Sequence, residues 1–305
     1  MRQLTVLSRR AFSLTTLATL GFAVPRWLRH TVADPARPSG PMSCSLTDVN
    51  EIGPFHRDGA PWRTTLAEAN EPGQHLSVRG HVVGGDSCEP LRDALLDVWQ
   101  ADSNGHYDFH DSPPPQTPDR YRLRGLMLSD RSGAYGFTTV LPGNYDIAPN
   151  QTRAKHIHYL IQRTGYEPLI TQLYFEGDPW NDRDPLVRRS LIMQMTRTPA
   201  GLQVGFDVVL RREAQVDSQS LRTFGEYVGE YAFPDSSPLR VHWHNGRLIA
   251  IYGTDTTRLA VDSLTRFRAL EWASRLTFVR DEQGAVAGLL FDGGDGSHLR
   301  LRRLP

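Results

Sequence analysis

The chain has 305 residues, with 34 Lys plus Arg, 34 Asp plus Glu and a formal net charge of zero. That length supports more than one domain and a substantial core. The charge balance, with no long basic run, argues against a nucleic-acid partner.

The first residues read as an address, not as fold. Ser8-Arg9-Arg10-Ala11-Phe12-Ser13-Leu14 leads into an apolar run from Leu14 to Val24. A basic start, a short apolar core and small residues after it describe a signal peptide. Paired arginines followed by an aromatic mark the twin-arginine type. The run is too short for a comfortable membrane span. Thr31-Val32-Ala33 fits a cleavage site, so residues 1–33 are expected to be the signal. The protein is then expected in the periplasm or outside the cell, delivered by the twin-arginine machinery. That machinery moves folded chains, which suits a cofactor loaded inside the cell. An uncleaved anchor, or a chance Arg-Arg pair, is the competing reading. Cys44 and Cys88 are the only cysteines. In an oxidising compartment they read as one disulfide, worth about 3–4 kcal/mol in the chain-entropy model. Two buried free thiols are the alternative.

Residues 34–50 are rich in Pro, Ser and Gly and read as a linker. Residues 51–212 read as a β-sandwich of short strands between turn clusters. Strands are expected at Leu76–Val83, Ala94–Trp99, Tyr121–Leu128, Tyr135–Val140, from His156 onward, Leu169–Phe175 with alternating faces, and Val204–Leu210. Gln100 to Asp108 is a polar loop with Tyr107 near its end, and such loops are where sites are built. Pro113, Pro114 and Pro115 predict a stiff exposed excursion. Pro142-Gly143-Asn144-Tyr145 predicts a turn that projects Tyr145. Residues 213–223 are polar and form the expected boundary, with room for a helical turn. Residues 224–305 read as a small antiparallel, barrel-like β domain. Its clearest signal is Asn245-Gly246 between Leu239–Trp243 and Leu248–Tyr252, a two-residue hairpin. The fold class is therefore mostly β throughout.

One stretch organises the chemistry. In Arg153-Ala-Lys-His-Ile-His-Tyr159, a strand puts His156, His158 and Leu160 on one face and Ile157, Tyr159 and Ile161 on the other. Two imidazoles one pleat apart form a ready pair of metal ligands. Suppose that Tyr107 and Tyr145, presented by loops of the same sandwich, converge with them. Two phenolates and two neutral imidazoles are hard and borderline donors that suit Fe(III). Four protein ligands leave a position open for substrate. A second His-x-His, His242 and His244, has no such company and reads as a solvated face.

The stretch from Cys44 to about Leu210 resembles the intradiol ring-cleavage dioxygenases, the catechol and protocatechuate 3,4-dioxygenase family. The resemblance rests on several fragments: Glu51-x-Gly53-Pro54-Phe55, Cys88-x-Pro90-Leu91-x-x-Ala94, and Asp97-Val98-Trp99-Gln100-Ala101-Asp102-x-x-Gly105-x-Tyr107. It continues in Leu123-Arg124-Gly125, Phe137-Thr138-Thr139-Val140-x-Pro142-Gly143-x-Tyr145 and Arg153-x-x-His156-Ile157-His158. It implies Fe(III) held by Tyr107, Tyr145, His156 and His158, with Tyr145 the tyrosine that substrate displaces. Arg153 would stand beside the substrate and Gln172 nearby. The implied partners are a catechol and O2, and the products muconate-type diacids. Asp146-Ile147-Ala148 follows Tyr145 where the family often has an aromatic, so substrate preference does not transfer. The last domain faintly resembles the lipocalin-like β domain after some exported serine hydrolases, through Tyr227-x-Gly229-x-Tyr231 and Phe278-x-Arg280-Asp281-x-x-Gly284. Homo-oligomerisation is left open. Two other readings compete: a non-catalytic sandwich binding aromatics or polysaccharide at the cell surface, and a zinc hydrolase using the two histidines.

Overall fold

A computed structural model describes residues 45–108, 121–233, 237–294 and 296–305. The expected signal sequence, Cys44 and the Pro113–Pro115 run lie outside the described residues. The first part of the chain forms β1 (His75–Gly84), β2 (Leu95–Gln100), β3 (Arg124–Leu128), β4 (Ala134–Val140), β5 (Tyr145–Ala148) and β6 (Gln151–Arg153). It continues with β7 (His156–Gln162), β8 (Leu169–Phe175), β9 (Ile192–Met193), β10 (Met195–Thr198), β11 (Gly201–Gly205) and β12 (Val208–Leu210).

One sheet has the order β10-β11-β1-β12, with β4 on the other side of β1, and the second has the order β3-β2-β7-β8-β9. Both contribute to one core. Val78 and Val82 of β1, Val98 of β2, Phe137 of β4, Ile157 and Tyr159 of β7 and Leu173 of β8 all belong to it. This is the expected sandwich. The hairpin β5–β6 stands apart as its own two-stranded sheet.

Three details differ from the sequence expectation. The strand expected from Tyr121 starts at Arg124, because Leu123 takes a left-handed turn with φ 51. The strand expected over Val204–Leu210 is split around Phe206. There the Phe206 carbonyl presses on β1 where Gly80 has no side chain, and it accepts a hydrogen bond from Tyr135 Oη at 2.6 Å. The Leu169–Phe175 strand does not alternate in burial; all seven residues are buried. It lies inside its sheet with both faces covered, and its polar Thr171 and Gln172 donate there to Asp48 O at 2.7 Å and Glu51 O at 2.8 Å.

Helix α1 (Ser218–Gly225) follows, started by the Asp217 carboxylate, which accepts from Ser220 N at 2.7 Å. Then come β13 (Gly229–Ala232), β14 (Leu239–His244), β15 (Arg247–Tyr252), β16 (Asp255–Val261), β17 (Arg266–Ala269), β18 (Ser274–Arg280), β19 (Val286–Asp292) and β20 (His298–Arg303). These eight strands form a closed barrel, because β20 pairs back to β13 through Tyr231 and Arg303. Tyr227, Tyr231, Phe267 and Phe278 fill its interior, with Tyr227 stacked on Phe278 at 4.0 Å. The barrel touches the sandwich: Ile52 N donates to Glu271 O at 3.4 Å and Arg188 Nη2 to Gly294 O at 2.6 Å.

Candidate metal centre

His156 and His158 leave β7 on the face opposite Ile157 and Tyr159, as the pleat requires. They are 2% and 1% exposed, so they are not polar residues on a wet face. Tyr107 ends the loop after β2, and Tyr145 opens β5. Their hydroxyls reach the same point. Tyr107 Oη lies 3.0 Å from His158 Nε2 and 3.3 Å from His156 Nε2. Tyr145 Oη lies 3.4 Å from His156 Nε2, and the two Nε2 atoms are 3.1 Å apart.

The tyrosine-bearing segments dock through two glycines. A Cβ on Gly105 would stand 2.2 Å from Asn144 O, and one on Gly143 would stand 2.5 Å from Gly105 N. Neither position tolerates a side chain. Gly143 N donates to Asp102 O at 2.8 Å, and the Asp102 carboxylate accepts from Asn104 N and His106 N, both at 2.9 Å. Aromatic walls then fix the rings. Phe55 stacks on Tyr107 with centroids 4.1 Å apart, and Trp99 stacks on His158 at 4.8 Å.

The protonation states follow from these surroundings. His156 Nδ1 lies 2.6 Å from Ala154 O, where it can only donate, so its Nε2 presents a lone pair to the cluster. Burial holds both imidazoles well below the usual histidine value, and the Arg153 charge adds to this; for His158 the neighbouring His156 adds more. Both are therefore neutral, the ligating form. Burial pushes Tyr107 well above its ordinary value; it also raises Tyr145, where Arg153 opposes the shift. These phenols ionise at neutral pH only if a cation joins them.

The residues present fit a ferric ion. Donor separations of 3.0–3.4 Å suit one ion bonded at about 2 Å. Among the described residues no group of three or more His, Cys, Asp or Glu converges as a metal site. The two phenols are what complete the histidine pair.

Arg153 ends β6 and is 4% exposed. Its Nε donates to Asp184 Oδ2 at 2.8 Å, and its Nη2 donates to Gln172 Oε1 at 2.8 Å and Tyr174 Oη at 3.2 Å. Burial works against its charge, yet Tyr174, Tyr145 and Asp184 together raise its pKa above the ordinary value. It is a buried, permanent cation near the phenols, not a surface ion pair. Gln172 lies opposite His158 in the β7–β8 register and donates to Glu51 O at 2.8 Å. With its amide oxygen committed to Arg153 and Tyr174, it acts as a brace. Sequence reasoning missed Asp184 and Tyr174. An arginine that must be buried demands a carboxylate, and that demand was the available signal. His242 and His244 are exposed on β14, as expected.

A family model described as Dioxygenase matches residues 52–212, just over half of the chain. A chlorocatechol 1,2-dioxygenase of Rhodococcus opacus is 36% identical over 166 residues, which is 48% of this chain and 63% of that protein. The protocatechuate 3,4-dioxygenase beta chain of Burkholderia cepacia is 31% identical over 202 residues, 58% of this chain and 83% of that one. The crystal structure of 3-chlorocatechol 1,2-dioxygenase from Rhodococcus opacus 1CP superposes with a TM-score of 0.50 at 30% identity, covering 54% of this chain and 73% of that chain. The chain spans less than two thirds of the length of the first of these relatives. The matched residues 52–212 include all four donors, Arg153 and Gln172, and end before the barrel.

Proposed function

We propose, from the premise that this chain belongs to the intradiol ring-cleavage dioxygenase family, that it is an exported Fe(III) enzyme opening catechol-type rings with O2. The bond broken is the one between the two hydroxylated carbons. One catechol and one O2 give one muconate-type diacid, each carbon of the broken bond gaining one oxygen atom. The observation that carries this reading is the convergence of the Tyr107, Tyr145, His156 and His158 donor atoms.

Ferric iron bound by these donors would supply the covalency that makes a chelated catecholate reactive toward O2. The chain supplies the rest. His156 and His158 keep lone pairs aimed at one point because burial keeps them neutral. Tyr107 is buried and stacked under Phe55, so it stays in place. Tyr145 is only half-buried. It is the phenol with room to yield its position, and its Oη, ionised only while iron held it, would be the base for a proton from a catechol hydroxyl. Arg153 holds a fixed positive charge for the oxyanion that develops on the substrate. Asp184 and Gln172 keep that guanidinium from turning away.

The test is optical first. Protein loaded with Fe(III) is expected to be burgundy, with a broad phenolate-to-iron band, and Tyr145→Phe is expected to shift or bleach it. Oxygen uptake on a panel of catechols then identifies the reaction. A colourless protein that binds no Fe(III), or uptake indifferent to His158→Ala, overturns the reading in favour of a non-catalytic aromatic-binding sandwich. Export rests on the Arg9-Arg10 pair, and replacing both by Lys should retain the protein in the cytoplasm. The Cys44–Cys88 disulfide is proposed with it. Thiol titration of denatured protein should find no free thiol before reduction.

A further inference from the structure

We propose that Asp178 is a positioning residue that fixes the span between Tyr145 and His156, acting through Asn144 and the Lys155 amide. Asp178 follows β8 and is 8% exposed. Its Oδ2 accepts from Asn144 Nδ2 and from Lys155 N, each at 2.9 Å. Its Oδ1 accepts from Trp180 N at 2.9 Å. Asn144 immediately precedes Tyr145, and Lys155 immediately precedes His156. A single carboxylate oxygen therefore ties together the two segments that carry these donors.

The fold makes this tie necessary. Tyr145 starts a hairpin that belongs to neither large sheet, whereas His156 starts a strand inside one. Tyr145 pairs with Arg153 across the hairpin, but no ladder joins β5 to β7. Asn144 gathers the remaining links. Its side chain also donates to Arg153 O at 3.2 Å, and its own carbonyl lies against Gly105, two residues before Tyr107. Asp178 holds the side chain of that hub. Lys155 Nζ stands 3.8 Å from the same carboxylate and offsets its charge. A buried acceptor serving three N–H donors is a rigid tie, because each donor would otherwise be left unpaired.

The proposal depends on the metal-centre reading only for its optical consequence. Asp178→Asn keeps the volume but offers one oxygen to three N–H groups. Asn144→Ala removes the bridging amide. Asp182→Asn, in the same loop and exposed, is the control. Hydrogen exchange on metal-free protein reads the tie directly. The Lys155 amide is expected to exchange about tenfold faster or more in Asp178→Asn, while the Tyr231 amide in the barrel keeps its rate. On Fe(III)-loaded protein, Asp178→Asn and Asn144→Ala are both expected to shift the visible band and to lower Fe(III) affinity about 10–100-fold, with Asp182→Asn matching wild type. Unchanged Lys155 exchange, or a wild-type band in both variants, overturns the proposal. If Asp178→Asn does not fold, the band of Asn144→Ala decides. A wild type that binds no Fe(III) defeats the proposed function instead, and Lys155 exchange still judges the tie.

Discussion

Gly53, at φ +71, lies so close to His158 that a Cβ on it would stand 3.2 Å from the imidazole Cε1. The chain therefore passes beside the Cε1–Nε2 edge of the ring in a left-handed conformation that favours glycine. Gly53→Ala is expected to cost about 1–2 kcal/mol from the backbone alone. It should also weaken Fe(III) binding by displacing the ring. Urea unfolding and a metal titration measure the two effects separately. Full metal affinity in a destabilised variant would mean that the ring does not depend on Gly53.

Asp184 should matter to turnover through Arg153. It accepts from Arg153 Nε and, at 2.9 Å, from Ala154 N. Asp184→Asn is expected to lower kcat about 10–100-fold while KM for the catechol changes less. Steady-state oxygen uptake across catechol concentrations tests this. A change confined to KM would assign Asp184 to substrate binding instead.

Acid should loosen the metal-free protein. The folded-state pKa values of His156 and His158 lie well below 6.5. Between those values and 6.5, the unfolded chain binds protons that the folded chain refuses. The stability contribution is therefore complete above 6.5 and lost as pH falls. Tyr107 and Tyr145, raised above 10, stay protonated in this window and add nothing. Unfolding free energies of metal-free protein should drop from about pH 7 to about pH 5, and drop less in a His156→Gln, His158→Gln variant.

A buried ion pair joins the barrel to the sandwich. Arg268 of β17 bonds Glu167, which lies just before β8, and both are more than nine-tenths buried. Burial pushes the Glu167 carboxyl up even though Arg268 opposes it. Arg268 also bonds Asp262, and Arg211 Nε stands 3.9 Å from Glu167, so Arg268→Met leaves Glu167 only a longer ion pair and is expected to cost about 3 kcal/mol. Adding Glu167→Gln should recover much of that loss. Denaturation of the four proteins of the cycle gives the coupling.

Sequence period made some of this legible. The alternation through His156, Ile157 and His158 placed donors and core on opposite faces, and Asn245-Gly246 marked a turn that has φ 47 and 79. Other parts were not readable because their causes are distant. Asp178 and Asp184 sit in a polar stretch after β8 that reads as solvent-facing; only their partners Asn144, Lys155 and Arg153 bring them inside. The strands β16 and β17 carry Thr256, Arg258, Arg266 and Arg268, too polar to stand out as strands. Closure of the barrel rests on Tyr231 meeting Arg303, which no local pattern announces. The hairpin β5–β6 is short and only partly buried, so it left little apolar trace.

Strand β1 runs parallel to β11, with Leu76 beside Leu202, and then parallel to β12, with Val82 beside Val208. A ribosome must therefore deliver nearly the whole sandwich before its first strand finds these neighbours. Pairings this distant are slow to form. Until Leu210 emerges, β1 keeps one side open, and that side is where a nascent chain most needs shelter from its copies.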